Sequence, residues 1–386
     1  MLDSRPWAVN RTGTAYVDGV ESMASGETRL VVQRFSIDEL EDAAVRVLAG
    51  FGAPPDLAEL TARSLAQSNL LGHDSHGIIR LLQYAAWVRD GQIRVTARPE
   101  QARRLGATAL VDGNWGFGQP TARMATDTAI ELAAANGVGA VAVARCNHIG
   151  RLGEYVTRMA DAGCIGLALC NSGPVVAPAG GTRRTFGTNP FAWAAPRAGA
   201  VPLVLDFSTA GIAEGKVQVA MAQGERLPDG MIIDRNGAPS TRPQDLYDGG
   251  ALLPFGGHKG SGLCLMIELV GGLLTGMGTA PMPDYAGGNG TLFIALSIER
   301  FTALDAFADG AAAFASRVTE SQDGGVEPDV FLPGQVEQQV AAERAVTGVP
   351  VPDATRRDIT ELAESIGVDL GRLALHRLDR TLESGS

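Results

Sequence analysis

Polar and apolar positions first predict a helical segment near the start of the chain. Ser36 stands at a cap position with Glu39 three residues on, which is the capping-box pattern of a helix start. Apolar residues then recur at helical spacing, and two further helices are predicted over residues 55–72 and 77–91. We therefore expect a small helical unit over residues 35–92.

From about residue 116 the pattern alternates between short apolar runs and amphipathic segments. The predicted elements are a helix over 120–135 closed by Asn136-Gly137, strands over 138–144, 165–170, 201–207 and 291–298, helices over 154–162 and 301–318, and a hairpin near 227–243. Strand–helix–strand order is typical of α/β proteins. The apolar segment that follows Gly256 predicts a helix buried on most sides, and residues 349–352 predict a loop.

Length and charge limit the class of protein. The chain has 386 residues, enough for two or three domains, and its formal net charge is −11. An acidic chain without a basic run is a poor binder of nucleic acids and of anionic membranes. No apolar run reaches the ~18 residues of a transmembrane helix. Residues 1–34 lack a signal-peptide pattern and periodicity, and we expect a disordered extension there.

The four cysteines, Cys146, Cys164, Cys170 and Cys264, form no C-x-x-C pair. Two of them lie in apolar runs that are typical of strands. Reduced, buried thiols are the usual state of such cysteines in a cytoplasmic protein, so we expect a cytoplasmic location.

The usual dinucleotide and nucleotide fingerprints are absent. Gly116-Phe117-Gly118 lacks the third glycine of G-x-G-x-x-G, and Gly215-Lys216 is followed by valine rather than by Ser or Thr. Glycine-rich turns precede helices at 150–153 and 256–262. Their backbone N–H groups can bind phosphate, or they can be tight turns only.

The segment GHDSHGIIR, residues 72–80, admits four interpretations. His73 and His76 are three residues apart, as metal ligands on a helix are, but the sequence offers no further His or Cys pair, and we expect no metal. A serine nucleophile is disfavoured because adjacent Ser75 and His76 are poorly placed to meet and no G-x-S-x-G elbow exists. Asp74 or Ser75 can also simply cap a helix.

The remaining interpretation is acid/base chemistry on an acid. A histidine side chain can supply a proton near neutral pH, which makes His76 a candidate acid/base, and Arg80 at i+4 is expected to share its helix face. An arginine binds a carboxylate through two hydrogen bonds, while a histidine can exchange a proton with a neighbouring oxygen. This pair therefore suits a substrate with a carbonyl beside a carboxylate. His73 has no assigned role.

Four other positions carry candidate chemistry with alternatives left open. His148 follows a strand and is either a loop histidine or a contact to cofactor or substrate. Asp206 ends a strand and can accept ribose hydroxyls or cap the next helix. Lys216 is by default a solvated lysine, although its flanks carry few other charges. The His258-Lys259 pair stands between glycines, where phosphate binding is plausible.

Seven motifs in order resemble one family over about residues 35–370. They are GHDSHGIIRL, CNHIGRLGEY, CNSGPVVAPAGG, FGTNPFAWAAP, VLDFSTAGIAEGK, LPFGGHKGSGL and LPGQ. Together they resemble the type 2 malate/L-lactate dehydrogenases, which are NAD(P)-dependent oxidoreductases of 2-oxo/2-hydroxy acids. Members of that family also include ureidoglycolate, sulfolactate and diketogulonate enzymes and reductases of cyclic imino acids.

This resemblance implies an α/β fold with a non-Rossmann cofactor-binding domain that contains a large mixed sheet. It also implies a helical domain built from the N- and C-terminal segments, and a homodimer. In this chain the helical domain is expected over 35–115, completed by 334–386, and the NAD(P)-binding and substrate domain over 116–333. The expected partners are a small 2-oxo/2-hydroxy acid and a second copy of the chain, with no nucleic acid and no membrane.

The resemblance also implies the site residues. His76 matches the catalytic histidine with Ser75 and Asp74 beside it, and His148 matches a position that is a proton acceptor in some members and part of the cofactor site in others. Arg80 and Thr188 match substrate positions. The residues assigned to the cofactor, by the resemblance or by the glycine-rich turns, are His148, Gly150, Ser172, Asp206, Phe207, Ser208, Gly257, His258, Lys259 and Gly334.

Lys216 is the position that separates two substrate classes within the resemblance. The imino-acid reductases carry aspartate there, and the hydroxy-acid dehydrogenases carry lysine. A lysine suits a developing alkoxide or a carboxylate, whereas an aspartate suits an iminium cation. The sequence thus favours 2-oxo/2-hydroxy acids, with NADPH-dependent reduction of a cyclic imino acid as the alternative. It leaves the choice between NAD and NADP open.

Overall fold

A computed structural model describes residues 33–321 and 330–373 of the chain. The expected extension over 1–34 therefore falls almost wholly outside the described residues, as does the end of the C-terminal segment. The strands are β1 (Gln33–Phe35), β2 (Glu100–Leu105), β3 (Thr108–Asp112), β4 (Val138–Ala144), β5 (Cys164–Cys170), β6 (Phe191–Ala195), β7 (Leu203–Phe207), β8 (Ile232–Ile233), β9 (Pro239–Ser240), β10 (Ala251–Leu252), β11 (Thr291–Ser297) and β12 (Val349–Val351). The α-helices are α1 (Ile37–Gly50), α2 (Pro55–Leu70), α3 (Arg80–Arg89), α4 (Gly118–Asn136), α5 (Leu152–Asp161), α6 (Glu214–Gln223), α7 (Pro243–Tyr247), α8 (His258–Ile267), α9 (Leu304–Thr319), α10 (Gln335–Thr347) and α11 (Asp353–Ser365).

The described chain divides into two compact units. The first takes in residues 33–96, 330 and 335–373, and the second takes in residues 97–321 and 331–334. All helices of the first unit come from the two ends of the described chain. The second unit holds the large sheet.

The first unit begins as the sequence predicts. Ser36 Oγ accepts a hydrogen bond from the Glu39 amide at 3.2 Å, and Glu39 Oε2 accepts one from the Ser36 amide at 2.8 Å, so the predicted capping box is confirmed. Leu40 and Val47 lie on the buried face of α1. Such a cap contributes about 0.5–2 kcal/mol to the stability of the helix.

The predicted loop over 349–352 is wrong. Val349–Val351 forms β12, which pairs antiparallel with β1, with Phe35 opposite Val349. Both valines are buried. A strand of three residues with Pro350 at its centre offers too little alternation to be detected, and a proline argues against a strand in any sequence pattern.

A seven-stranded mixed sheet organises the second unit, in the order β2-β3-β4-β11-β5-β6-β7. Only β3 and β4 pair in parallel within this described sheet, and α4 connects them. The predicted strands β4, β5, β7 and β11 and the helix end at Gly137 (φ 86°) are confirmed. The fold is therefore a mixed α/β fold.

Strands β2, β3 and β6 were not predicted. Every residue of β2, sequence EQARRL, is exposed because the strand forms the outer edge of the sheet. An exposed edge strand of charged residues has no apolar alternation, and short charged edges of this kind limit pairing with other chains. The hydrophobic core of this unit packs against the central strands of the sheet. In it, the Tyr155 and Phe293 rings pack edge to face, with their centroids 5.5 Å apart.

The predicted hairpin is confirmed by β8 and β9, which pair antiparallel with Ile232 opposite Ser240. The prediction that the helix after Gly256 is buried on most sides is wrong. Leu265, Leu269 and Leu273 are 52%, 48% and 56% exposed along α8 and the π-helical segment Glu268–Leu273 that continues it. A helix that is apolar all round must bury its surface, but its sequence does not say whether its own core or another molecule covers it. No helix in the described ranges is long and apolar enough to cross a membrane.

Candidate active site

The segment between α2 and α3 folds as a single 3-10 turn, Asp74–His76. Ser75 Oγ lies 3.0 Å from His76 Nδ1. The expectation that these adjacent side chains are poorly placed to meet was therefore wrong, because the tight turn brings them to the same side. The contact orients the imidazole through Nδ1.

Arg80 does not share a helix face with His76, contrary to the prediction. Gly77 is extended (ψ −155°) and ends the turn, and α3 starts only at Arg80. Because no continuous helix joins His76 to Arg80, their four-residue separation does not place them on one helix face. The guanidinium nevertheless turns back: its Nε donates to the carbonyl oxygen of Ser75 at 2.6 Å, and its Nη1 donates to Gln83 Oε1 at 2.7 Å. Backbone contact, not helix geometry, therefore brings Arg80 to the turn.

The Asp74 carboxylate binds residues of α2 and α10. Its Oδ1 accepts from Asn69 Nδ2 at 2.7 Å and from Arg344 Nη1 at 2.9 Å, and its Oδ2 accepts from Arg344 Nη2 at 3.0 Å. The Arg344 side chain is only 11% exposed and also donates to the carbonyl oxygen of Asn69. This two-pronged ion pair fixes the first residue of the turn, while an orienting contact from Asp74 to His76 stays a prediction.

Asn69 holds the other end of the turn. Its Oδ1 accepts from the Ile78 amide at 2.8 Å. A Cβ at Gly77 would come within 2.1 Å of that same oxygen, so only glycine fits beside the Asn69 side chain. His73, just before the turn, places Nε2 at 3.7 Å from Glu337 Oε1 on α10. The contacts of Asn69 and Arg344 join residues far apart in the chain, and no local pattern marked them.

Three predicted residues of the second unit meet at one edge of the large sheet. Leu169 pairs with Phe191 and Phe191 pairs with Phe207, so the ends of β5, β6 and β7 lie side by side. Ser172 Oγ accepts from the Thr188 amide at 3.2 Å, and Ser208 Oγ donates to the Thr188 carbonyl oxygen at 3.1 Å. The structure thus joins the predicted substrate position Thr188 to two predicted cofactor positions.

His148 follows β4 at this same edge. Thr291 pairs with both Val143 and Cys170, so the carboxyl ends of β4 and β5 point the same way. His148 is half-buried in the loop that continues from β4, and Gly150 in this loop has a φ of 80°. The loop is packed tightly, because a Cβ at Gly118 would come within 2.3 Å of the His148 carbonyl oxygen.

Asp206 caps a helix. Its Oδ2 accepts from the Gly153 amide at 2.7 Å, in the first turn of α5. A carboxylate at a helix N-terminus is stabilised by the helix dipole and by the backbone N–H groups there. Asp206 therefore binds the N-terminus of an earlier helix, not that of the next helix as the alternative had it, and a contact to ribose stays a prediction.

The glycine turn before α8 is attached to the group formed by Ser172, Thr188 and Ser208 at the ends of β5, β6 and β7, which we call the strand-end cluster. The Thr209 amide donates to the Thr188 carbonyl oxygen at 2.9 Å, and the Phe255 amide donates to the Thr209 carbonyl oxygen at 3.0 Å. Gly256 and Gly257 follow with φ of 56° and 59°. Exposed backbone of this kind at the N-terminus of a helix suits an anion. His258 and Lys259, both exposed, form the first turn of α8.

The other predicted residues lie in separate elements of the second unit. The Phe207 ring meets the Phe255 ring at 5.5 Å, next to the glycine turn. Lys216 is exposed in the first turn of α6. Gly334 has a φ of 84° and packs against Val204 of β7.

In the described part of the chain, the cysteines form no reactive thiol site and the possible metal ligands form no metal site. All four thiols are unpaired and buried, and burial raises the pKa of Cys170 to about 12. Such thiols stay protonated at neutral pH and are poor nucleophiles. Among residues 33–321 and 330–373, no group of three His, Cys, Asp or Glu side chains is arranged to hold a metal.

The chain is similar to known dehydrogenases and reductases over most of its length. The family profile described as malate/L-lactate dehydrogenase matches residues 35–360. A malate dehydrogenase of Pyrococcus abyssi is 34% identical over 349 residues, which is 87% of this chain and 95% of the relative. Hydroxycarboxylate dehydrogenase B of Escherichia coli is 35% identical over 345 residues, with 87% and 95% covered.

A solved structure extends the similarity to imino-acid reduction. The crystal structure of delta1-piperideine-2-carboxylate reductase from Pseudomonas syringae superposes with a TM-score of 0.77 at 34% identity and covers 86% of this chain and 100% of the reductase. Its identity lies close to that of the dehydrogenases, so overall similarity does not separate the two substrate classes.

Proposed function

This chain belongs to the malate/L-lactate dehydrogenase family, and we propose that it transfers hydride between a nicotinamide cofactor and C2 of a small 2-oxo/2-hydroxy carboxylic acid. The observation that carries the proposal is the 3-10 turn, where Ser75 holds His76 Nδ1 at 3.0 Å and Arg80 is bound to the same turn. A proton-exchanging imidazole and a carboxylate-binding guanidinium on one rigid segment match the two polar groups of such an acid.

His76 exchanges the hydroxyl proton in this mechanism. In the direction of reduction, protonated His76 donates from Nε2 to the C2 oxygen as the C2 carbon gains hydride, and in oxidation neutral His76 takes that proton back. Ser75 keeps the ring oriented through Nδ1. Arg80 binds the substrate carboxylate, which fixes C2 relative to the imidazole. Asp74 acts through the turn, because its carboxylate is bound to Arg344.

The second unit would hold NAD or NADP, which when bound supplies or accepts the hydride. Hydroxyl groups of Ser172 and Ser208 surround the Thr188 backbone, and the exposed α8 N-terminus after Gly256-Gly257 suits a pyrophosphate. The remaining predicted cofactor positions stay part of the proposal: His148, Gly150, Asp206, Phe207, His258, Lys259 and Gly334. The glycine turn and Lys259 fit a phosphate-bearing cofactor because they combine exposed backbone with a cationic side chain.

We propose that this cofactor domain is of a non-Rossmann type. One parallel pair within a sheet that is otherwise antiparallel supports the proposal, because a Rossmann domain requires a mostly parallel sheet. The helical domain from both chain ends is likewise proposed, and the first compact unit supports it. That unit takes in residues 33–96, 330 and 335–373, and the proposed helical domain takes in residues 35–115 and 334–386. A cytoplasmic location is proposed on the four unpaired thiols.

Lys216 favours an oxo or hydroxy acid over a cyclic imine. Its ammonium group stabilises a developing alkoxide, whereas a substrate that becomes an iminium cation is repelled by it. Reduction of a cyclic imino acid is retained as the second candidate because a solved reductase of that class shares the fold and 34% of its residues.

The deciding experiment assays the purified chain against a panel of 2-oxo acids and five- and six-membered cyclic imino acids, each with NADH and with NADPH. We expect turnover of at least one 2-oxo acid with kcat/KM at least about tenfold above that of any imine. Faster turnover of an imine would transfer the chain to the reductase class. Turnover of neither class, with nicotinamide cofactor still bound, would refute the proposed activity.

A further inference from the structure

Glu268 is a buried carboxylate that none of the assignments above uses. It is 2% exposed and is the first residue of the π-helical segment Glu268–Leu273. Its sequence surroundings, LCLMIELVGG, are apolar apart from this one side chain. Single π-helical turns within helices often occur at functional sites, and a buried charge must be satisfied by donors or it destabilises the protein.

Four N–H donors satisfy this carboxylate. Oε1 accepts from Asn189 Nδ2 at 2.9 Å and from the Gly187 amide at 3.2 Å. Oε2 accepts from Asn171 Nδ2 and from the Ala280 amide, both at 3.3 Å. Each oxygen therefore faces donors only, as an ionised carboxylate requires.

The two asparagine amides cannot turn to offer an oxygen instead. Asn189 Oδ1 accepts from the Ser172 amide at 3.2 Å, and its Nδ2 donates to the Cys264 carbonyl oxygen at 3.2 Å as well as to Glu268. Asn171 Oδ1 accepts from the Gly290 amide at 3.0 Å. A flip of either amide would break these bonds. The network therefore requires that both terminal side-chain atoms of residue 268 be hydrogen-bond acceptors.

The donors belong to the loops that carry the predicted site. Gly187 and Asn189 flank Thr188, and Asn171 precedes Ser172. Asn189 has a φ of 35°, a left-handed conformation that a non-glycine residue keeps only when its surroundings fix it. A Cβ at Gly187 would come within 2.3 Å of Ser172 Oγ, so the two loops have no slack between them.

We propose that Glu268 is a positioning residue, whose buried carboxylate fixes the loops carrying Thr188 and Ser172 in the arrangement that binds cofactor and acid. This proposal rests on the proposed function of those two residues. Glu268 contacts neither reactant. It acts by accepting hydrogen bonds that orient the Asn189 and Asn171 side chains and the Gly187 amide.

The test replaces Glu268 by glutamine, which keeps size and shape and turns one acceptor oxygen into an NH₂ donor that faces existing donors. The matched control is Asp245→Asn, the same chemical change at a carboxylate that is 8% exposed in the same unit and whose side chain binds Ser240 and Arg242 rather than Asn171, Gly187 or Asn189. Three quantities are measured in both variants: amide hydrogen exchange over residues 170–174 and 185–190, the Kd of NADPH by fluorescence, and KM for the best acid.

In Glu268→Gln we expect exchange at Gly187 and Thr188 to rise about tenfold or more, because bonds to a charged acceptor are lost locally. The Kd of NADPH and KM should each rise about tenfold, while kcat changes less. Asp245→Asn should leave all three unchanged. Glu268→Asp keeps the charge, and should fall between wild type and Glu268→Gln. It also serves as the test variant if the glutamine variant does not fold.

Outcomes that contradict the two proposals are distinct. If exchange, Kd and KM in a folded Glu268 variant equal those of wild type, the positioning role is refuted in an enzyme that remains active. If Asp245→Asn raises Kd and KM as much, the effect is general destabilisation and the positioning role is again refuted. A wild-type chain that turns over nothing in the acid and imine panel refutes the proposed function instead, whatever the exchange data show.

Discussion

At the scale of single residues, a turn rather than a helix face brings together Ser75 and His76, the pair proposed to take part in proton exchange. Ser75 and His76 are neighbours in sequence, and their side chains meet only because Asp74–His76 forms a 3-10 turn. Residue types alone indicated acid/base chemistry at His76. They did not indicate the partner, because the direction of two adjacent side chains depends on backbone angles that the sequence leaves open.

Replacing His76 by alanine should lower kcat by about 10²–10⁴-fold, the usual contribution of a positioned general acid/base. Cofactor affinity should stay nearly unchanged, because His76 is proposed to contact the acid. Steady-state kinetics and an NADPH fluorescence titration measure the two effects. His73→Ala is the control, since His73 faces Glu337 instead. An activity of His76→Ala within about threefold of wild type would remove His76 from the mechanism.

Arg80→Lys should raise KM for the acid by about tenfold or more while kcat falls less. A lysine cannot reproduce the two parallel hydrogen bonds that a guanidinium makes to a carboxylate, nor the bond from Nε to the Ser75 carbonyl oxygen. Arg89→Lys, the same change at the exposed end of α3, should leave KM unchanged. Equal KM values for wild type and Arg80→Lys across all acids tested would argue against carboxylate binding by Arg80.

At the scale of elements, local signals predicted what local forces determine. The capping box at Ser36 and the helix end at Gly137 depend on residues within a few positions of one another, and both are confirmed. Strand β2 is exposed at every residue, and the pairing of β12 with β1 joins the two ends of the described chain. Their sequences carry no periodic signal, so they were missed.

The residues of the candidate site also divide into those that the sequence identified and those that it missed. Thr188 was assigned through its resemblance to family motifs, and the structure adds its contacts to Ser172 and Ser208. Arg344 and Glu268 were not identified, because each acts on a segment that folding alone brings near. The one sequence signal for Glu268 is that it is the only charged residue in the apolar run LCLMIELVGG. Buried charges of this kind need a specific partner, which a sequence pattern does not name.

Arg344→Met should loosen the turn that carries His76. The change leaves Asp74 without its two-pronged partner, at a cost of about 1–2 kcal/mol in the free energy of unfolding. This is less than for a fully buried pair, because the Asp74 side chain is 41% exposed. The value of kcat should fall as well, because His76 is held through that turn. Urea denaturation and steady-state kinetics measure both.

The matched control for Arg344→Met is Arg46→Met, which breaks the exposed pair with Asp42 on α1 in the same unit. Its unfolding free energy should change by less than about 0.5 kcal/mol. The double variant Arg344→Met/Asp74→Asn adds a second check, since the loss of Asp74 should add little once Arg344 is gone. Additive losses in that cycle would show that the pair does not act as a unit.

At the scale of the whole molecule, the surface of the second unit carries apolar side chains that the described chain leaves exposed. Leu265, Leu269 and Leu273 follow one another at four-residue intervals on α8 and its π-helical continuation, and Leu274 beside them is 63% exposed. Monomeric proteins rarely expose a contiguous apolar patch of this kind. This patch is therefore a surface suited to the predicted homodimer.

Replacing Leu269 by glutamate should convert the predicted homodimer into a monomer at micromolar concentration. The substitution places a charge at the centre of the apolar patch, and in a two-fold dimer that charge meets its own copy or an apolar side chain without a partner. Sedimentation velocity across a hundredfold range of concentration gives the association state. Leu105→Glu is the matched control, because Leu105 is 76% exposed but lies at the β2–β3 hairpin. A wild-type chain that sediments as a monomer throughout, or a Leu269→Glu variant that stays dimeric, would contradict the assignment of this surface.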